Sequence, residues 1–499
     1  LNNKNTIQTI KKAGVTTCLF LFSFFAIALD NVWQFDPELQ KAYSLVTNLQ
    51  TDRANEALKK IKTNEFHKLY VQTLNETLYI LITEDHKGFV QIDEQFKTRI
   101  KYLEGMPVNA ETLFLLAELN LQRGFCYLNL GQELNAAMSI RKAYQLTSDC
   151  LKKYPAFIPI KKTSGTIQVM IGSVPEKFKW FMNLLGMRGS VSTGQKQLTE
   201  LRNSKSSLSM EATMLFFTVK GFINQEFAEA ASGINTCLKD QPNNRLLLFI
   251  GVNMLIKDGR SEEALVLIQQ IDHQIEGLPM YYIDYLRGEV LLQRGDYSKS
   301  IESFQQFIKN FPSISFKKDS YYKISLCYWL LDDSKHAKIN FDKAKVTGTD
   351  KAEPDKYAAK QLEENSFPNK KLLRVRFSTD GGYYKEASTS LQTITPADLT
   401  NPKDQTEYYY RKARLAHRTG EISAAKIFYQ QSIDMTKNNP WYFGANSALQ
   451  LGYIAKDQKD YVKAKKYFEQ ALNFPKHEYK NSIDSKARTE LEWLATVKA

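Results

Sequence analysis

Chemistry in this chain would have to come from its six histidines, its scattered cysteines or its paired acids, and each set lacks the spacing that chemistry needs. His67, His86, His273, His336, His417 and His477 are widely separated, with no two at the helical interval that aims a pair of imidazoles at one metal ion. Each reads as a solvated or capping side chain. Cys126, Cys150, Cys237 and Cys327 follow neither a disulfide framework nor a zinc pattern, so they read as isolated buried thiols. The acidic pairs Glu262-Glu263, Asp332-Asp333 and Glu363-Glu364 are adjacent, which points their members to different sides of a helix. No glycine-rich phosphate loop, His-Glu-x-x-His pair or Gly-x-Ser-x-Gly elbow occurs, and Gly186-x-x-Gly189 is too short for a dinucleotide fingerprint. The expectation is a protein that is not an enzyme, with no catalytic residue, cofactor or metal site.

What remains is binding, and that depends on how the chain is organised. At 499 residues it is too long for one ordinary core, so it forms several domains or one repeat array. Glycine (23) and proline (14) are scarce and aromatic residues make up 12%, which argues against disorder and for interlocking helices. The formal charge is +13; residues 1–28 hold Lys4, Lys11 and Lys12 and no acid, and 13 less 3 leaves +10 beyond them. The lysines are spread along the chain without a dense tract, so nucleic acid is not an expected partner, and an anionic surface or solubility explains them better.

Lys11 and Lys12 precede an apolar run from Val15 to Ala28, and Ala26-Ile27-Ala28 has the small-x-small form of a signal-peptidase site. Residues 1–28 are therefore expected to be a signal peptide, with a mature chain starting at Leu29 or Asp30. The other readings are a buried helix or an uncleaved anchor. The expected location is exported, periplasmic or outer-membrane associated in a bacterium.

Small and large residues recur in a fixed order. Gly288, Leu291, Gly295, Tyr297, Phe304 and Pro312 set out one unit: close approach, turn, second helix, plug and stop. Ser325, Tyr328, Ala337, Phe341 and Ala344 repeat the order, as do Gly452, Tyr453, Tyr461, Ala464, Phe468 and Ala471. Ala413, Ala416, Gly420, Ala425 and Tyr429 fit as well, as do Gly124, Tyr127, Gly131, Ala136, Ile140 and Ala143. Gly259, Ala264 and Ile268 and the set Gly382, Tyr384, Ala387 and Leu391 keep the same turn-to-helix spacing, and Phe227, Ala230 and Ile234 match more weakly. This order resembles the tetratricopeptide repeat, which implies an all-α, right-handed superhelical solenoid of helix hairpins. The segments expected are N-terminal helical repeats at 29–153, an atypical helical insertion at 154–200, central repeats at 201–348, C-terminal repeats at 349–481 and a capping helix at 482–499.

The resemblance also implies a concave groove lined by the first helix of each unit. Position by position, it assigns Tyr282, Tyr285, Glu289, Tyr322, Leu326 and Trp329 to that groove, then Tyr410, Arg414, His417, Asn446, Leu449, Tyr453 and Lys456. Tyrosine gives large contact area with few rotors, so the groove suits a peptide or a partner protein of unknown identity. The alternative is that several of these tyrosines pack within the array. The lysine-and-asparagine clamp for a chaperone's terminal carboxylate is absent.

Between 154 and 198 the periodicity is interrupted by Pro155, Pro159, Gly165, Gly172, Pro175, Gly186, Gly189 and Gly194. Within it Val174, Phe178, Phe181 and Leu185 fall at helical spacing beside Trp180, Lys177 and Lys179. Phe178, Trp180 and Phe181 either touch a membrane surface or fill the inside of the superhelix. The runs Gly165-Thr166-Ile167, Gly172-Ser173-Val174-Pro175 and Leu184 through Gly189 resemble the middle of the tetratricopeptide repeat protein 39 and inclusion-body-clearance family. That resemblance implies a eukaryotic relative linked to organelle membranes and lipid droplets, with no catalytic residues; an export signal departs from its pattern. The functional expectation is an envelope scaffold or adaptor, the alternative a peripheral membrane protein acting through residues 174–185. Intact-mass analysis of the protein recovered from a secreting bacterial host is expected to show a chain starting at Leu29 or Asp30; an uncleaved chain contradicts the leader.

Overall fold

The computed structural model describes residues 33–497 apart from 63, 175 and 275, and only the backbone at 176–178 and 181. The expected signal peptide lies outside the described residues. Every regular element described is helical. The N-terminal part comprises α1 (Pro37–Thr47), α2 (Thr51–Lys60), α3 (Glu65–Thr83), α4 (His86–Glu104), α5 (Ala110–Asn129), α6 (Glu133–Lys153), α7 (Ile160–Gly172), α8 (Glu176–Leu184), α9 (Val191–Arg202) and α10 (Ser209–Phe222). There follow α11 (Phe227–Asp240), α12 (Arg245–Asp258), α13 (Ser261–Asp272), α14 (Tyr282–Arg294), α15 (Tyr297–Asn310), α16 (Lys317–Leu330), α17 (Ser334–Val346), α18 (Glu353–Glu363), α19 (Lys370–Gly381) and α20 (Tyr384–Gln392). The chain ends in α21 (Pro402–Arg418), α22 (Ile422–Thr436), α23 (Tyr442–Asp457), α24 (Tyr461–Asn473) and α25 (Lys480–Val497). Sequential helices pack as hairpins, and each hairpin packs on the next, which makes the molecule an all-α solenoid.

One unit shows why the residues dictate the hairpin. A Cβ on Gly288 would stand 2.8 Å from the Phe304 ring, so only glycine lets α14 and α15 close over that fully buried side chain. Gly295 caps α14 at φ +95°, and its N–H donates to Leu291 O at 3.1 Å. Pro312 follows α15, where its missing N–H prevents a further helical turn. The pairs Gly124–Ile140, Gly251–Leu267 and Gly452–Phe468 repeat the close approach, each sixteen residues apart like Gly288 and Phe304.

The middle segment is helical as well. α7 and α9 form a tight hairpin, and α8 is inserted in its connection. A Cβ on Gly165 would meet Gly194 O at 3.0 Å and Leu198 at 2.9 Å, so the glycines that interrupt the periodicity are where two helices touch. Met182 and Leu185 pack partly on the N-terminal core, while Trp180 is 65% and Leu184 72% exposed. The Phe178 and Phe181 side chains lie outside the described residues. At the other end Leu494 of α25 is buried and Trp493 is half-exposed against Tyr461, their ring centroids 5.8 Å apart.

Apolar burial falls into three cores, one over 33–219, one over 214–373 joined by Leu49, and one over 410–494. The first contains an ionic network. Lys162 Nζ lies 2.7 Å from both Glu118 and Glu211 and donates to Tyr70 O–H at 2.5 Å. Tyr70 and Tyr43 in turn donate to Glu211 at 2.8 and 2.9 Å, and Thr163 donates to Glu118 at 2.6 Å. Lys162 is only 5% exposed, so this network ties α1, α3, α5, α7 and α10 together and offers no surface for a ligand. Among the described residues no helix is long and apolar enough to cross a membrane. Lys162→Met is expected to leave Glu118 and Glu211 buried without their counter-charge and to cost about 3–5 kcal/mol in chemical denaturation; a loss below about 1 kcal/mol would show that the network contributes little.

Candidate functional site

Helical spacing on the first helix of each hairpin turns one stripe of side chains inward. On α21 the stripe is Tyr410, Arg414, His417 and Arg418; on α23 it is Asn446, Gln450, Tyr453 and Lys456. On α14 it is Tyr282, Tyr285, Glu289 and Gln293, and α19 adds Arg376 and Asp380. α25 crosses the array and contributes Ser482 and Lys486. Together these stripes line a lumen of two chambers open to solvent, about 860 and about 1020 Å³, which share part of their lining.

The chamber beside α14 has an ionic floor. Lys323 lies 2.7 Å from Asp319 and 2.7 Å from Tyr285 O–H, and it also pairs with Glu289. Burial pushes the Asp319 carboxyl up against the pull of Lys323. Burial works the same way on Glu289, but there Lys323, helped by Lys257, outweighs it and holds the group below the usual range. Asp319 is seated by a carboxylate from another helix. Phe316, at the start of α16, has φ +63° and no capping side chain, and Asp355 of α18 accepts from Phe316 N at 2.7 Å and Asp319 N at 2.9 Å. Burial raises the Asp355 carboxyl to about 6 despite those two bonds.

The chamber beside α21 and α23 is richer in tyrosine. Tyr384, Tyr442, Tyr453 and Tyr479 line it, and Asn446 donates to Tyr410 O–H at 2.6 Å. Lys456 pairs with Glu490 at 2.6 Å and lies over the Trp493 ring at 4.3 Å. His417 Nδ1 is 3.2 Å from Tyr429 O–H; burial, then Arg414 and Arg418, push its pKa down to about 4, so the ring is neutral at pH 7.

Nine of the thirteen residues assigned to the groove therefore line the lumen: Tyr282, Tyr285, Glu289, Tyr410, Arg414, His417, Asn446, Tyr453 and Lys456. Two of these are largely packing groups. Tyr285 is 1% exposed, its ring held among Phe304, Phe307 and Phe316, and Tyr410 is 3% exposed. Tyr322, Leu326, Trp329 and Leu449 do not reach the lumen; the two leucines are buried in the cores. Tyr322 is buried near Phe341, and Trp329 stacks on Phe367 at 4.8 Å with its indole N–H donating to Pro368 O at 2.9 Å. Tyr322 packs against α17, and Trp329 against the connection between α18 and α19, so neither side chain faces the lumen. The cations Lys257, Arg376, Arg418 and Lys486 line the lumen without having been singled out by the motif. Arg418 stands one helical turn beyond Arg414, the one sequence signal that could have found any of them.

Among the described residues no group of three or more histidine, cysteine or acidic side chains could hold a metal ion. Cys126, Cys150 and Cys327 are buried, which raises each thiol to about 12; Cys237 is half-buried and also raised.

Models of the tetratricopeptide repeat match residues 283–313, 318–345, 406–439 and 445–476. Among solved structures, the apo form of the quorum sensor NprR from B. thuringiensis is 14% identical, with 73% of this chain and 98% of that one covered and a TM-score of 0.37. A tetratricopeptide repeat protein from Parabacteroides merdae is 16% identical over 57% of this chain and 98% of its own, at TM-score 0.25. Human IFIT1 solved with PPP-AAAA is 12% identical over 88% and 95%, at TM-score 0.31. The segments 283–313, 318–345, 406–439 and 445–476, which carry Tyr285, Lys323, Tyr410, Arg414 and Tyr453 of the lining, are tetratricopeptide repeats.

Proposed function

We propose that this chain is a non-enzymatic scaffold that holds an extended segment of a partner protein inside the lumen of its repeat array. The observation that carries this reading is the lining of the chamber beside α21 and α23. Tyr384, Tyr442, Tyr453 and Tyr479 stand there among the amides of Asn446 and Gln450. Aromatic faces supply contact area, and amides can pair with an exposed peptide backbone. Two joined chambers of about 860 and 1020 Å³ exceed what a single small molecule fills. Placement in a bacterial envelope rests on Lys11, Lys12 and the apolar run to Ala28. A relationship of the middle segment to the tetratricopeptide repeat protein 39 and inclusion-body-clearance family rests on the residue runs at 165–167, 172–175 and 184–189. A photo-crosslinker replacing Tyr453 or Tyr384 is expected to capture a partner segment, while one replacing the outward-facing Val462 captures none. Capture from Val462 alone contradicts the reading.

A second reading is supported by the exposure of Trp180 and Leu184 on α8, which suits contact with a lipid surface. Liposome flotation is expected to recover the protein and to lose it with Trp180→Glu/Leu184→Glu; no flotation of the wild type, or equal recovery of both, removes this reading.

A further inference from the structure

The two chambers meet at a waist, and the charged residues that line both are Lys257, Arg376, Arg414, Arg418, Lys486 and one carboxylate, Asp380. Five cations against one acid leave four positive charges facing a shared volume. Asp380 is already engaged, with Arg414 at 3.5 Å and Arg376 at 3.9 Å. Among the described residues Lys257, Arg418 and Lys486 form no ion pair within 4 Å, although Lys257 acts on Glu289 and Arg418 on Asp258 from further away, and Arg418 Nε is buried without a hydrogen-bond partner. Burial, then Lys257 and Arg414, push the Lys486 amine down to about 8. The five come from α12, α19, α21 and α25, so this crowding of like charge is assembled by the tertiary fold. Crowding of that kind destabilises a fold unless a ligand supplies the missing charge.

We propose that the waist of the lumen binds a phosphate group carrying at least two negative charges, held by Lys257, Arg376, Arg414, Arg418 and Lys486. A single carboxylate would leave most of the positive charge unmatched, whereas a phosphate offers several oxygens to the forked donors of three guanidinium groups. The surroundings select a compact group over a nucleic acid strand. Beyond the shared residues, Glu226, Glu229, Asp258, Asp457 and Glu490 face one chamber and Glu289, Asp319, Glu353 and Glu478 the other, and a backbone charged at every nucleotide would have to pass them. The proposal holds whether or not a partner segment threads the lumen. Its phosphate is either that of a free small molecule or that of a modified side chain on such a segment.

Calorimetric titration of the full chain tests it, with pyrophosphate, acetate, a phosphoserine peptide and an oligoribonucleotide lacking terminal phosphate, all at matched ionic strength. Saturable binding of pyrophosphate or the phosphopeptide is expected, at least about tenfold tighter than acetate. Tighter binding of pyrophosphate assigns the site to a free ligand, and tighter binding of the phosphopeptide to a modified side chain. Lys257→Gln/Lys486→Gln and, separately, Arg418→Gln are expected to weaken it about tenfold or more. Lys486→Gln alone, without ligand, is expected to melt no lower than wild type, because it relieves repulsion from Lys257 and Arg414, and its loss of phosphate binding then separates lost binding from lost folding. Failure of both phosphate probes to saturate, affinity unchanged in both variants, or preference for the oligoribonucleotide overturns the proposal.

Discussion

The structure depends on one steric constraint, the closure of each hairpin over a large side chain that only a small residue opposite can admit. Gly288 against Phe304 and Gly452 against Phe468 show it most plainly, since a Cβ at either glycine would collide with the ring. The sixteen-residue interval between partners sets the register of the second helix on the first. Register then decides which stripe of the first helix turns inward, and so which side chains line the lumen. An apolar ring of this kind loses about 3–5 kcal/mol when cut back to alanine, far more than any single lumen contact contributes, so the packing positions the site and not the reverse.

The charged features sort into two kinds on this frame. Around Lys162, and around Lys323, carboxylates and tyrosine hydroxyls surround each lysine, and the groups account for one another. These networks bind helix to helix. The waist is different in kind: cations from two of the three cores face each other with too little negative charge among them. Satisfied networks and an unsatisfied one on the same scaffold are what separates structural polarity from a surface kept for a ligand.

The repeats were legible in the sequence because each rests on local spacing. The glycine, tyrosine and phenylalanine of one hairpin lie within a single unit, and the turn at Gly295 is signalled by its own residue type. Tertiary placement was less legible. Tyr322 and Trp329 hold the same register as true lining residues, but they pack against later segments of the chain, which no local pattern reports. Gly165 and Gly194 look like breaks because the residue each must admit is a backbone carbonyl and not a ring. Lys257 and Lys486 come from helices more than two hundred residues apart in sequence, so only the superhelix brings them together.

Hydrogen exchange of the full chain, alone and with a crosslink-identified partner bound, tests most directly whether the inward stripes are the working surface. Slowed exchange at 410–418, 446–457 and 482–490, with the outward helices α17 and α24 unchanged, is the predicted pattern. Protection confined to α17 and α24, with those lumen stretches exchanging as before, would contradict the account.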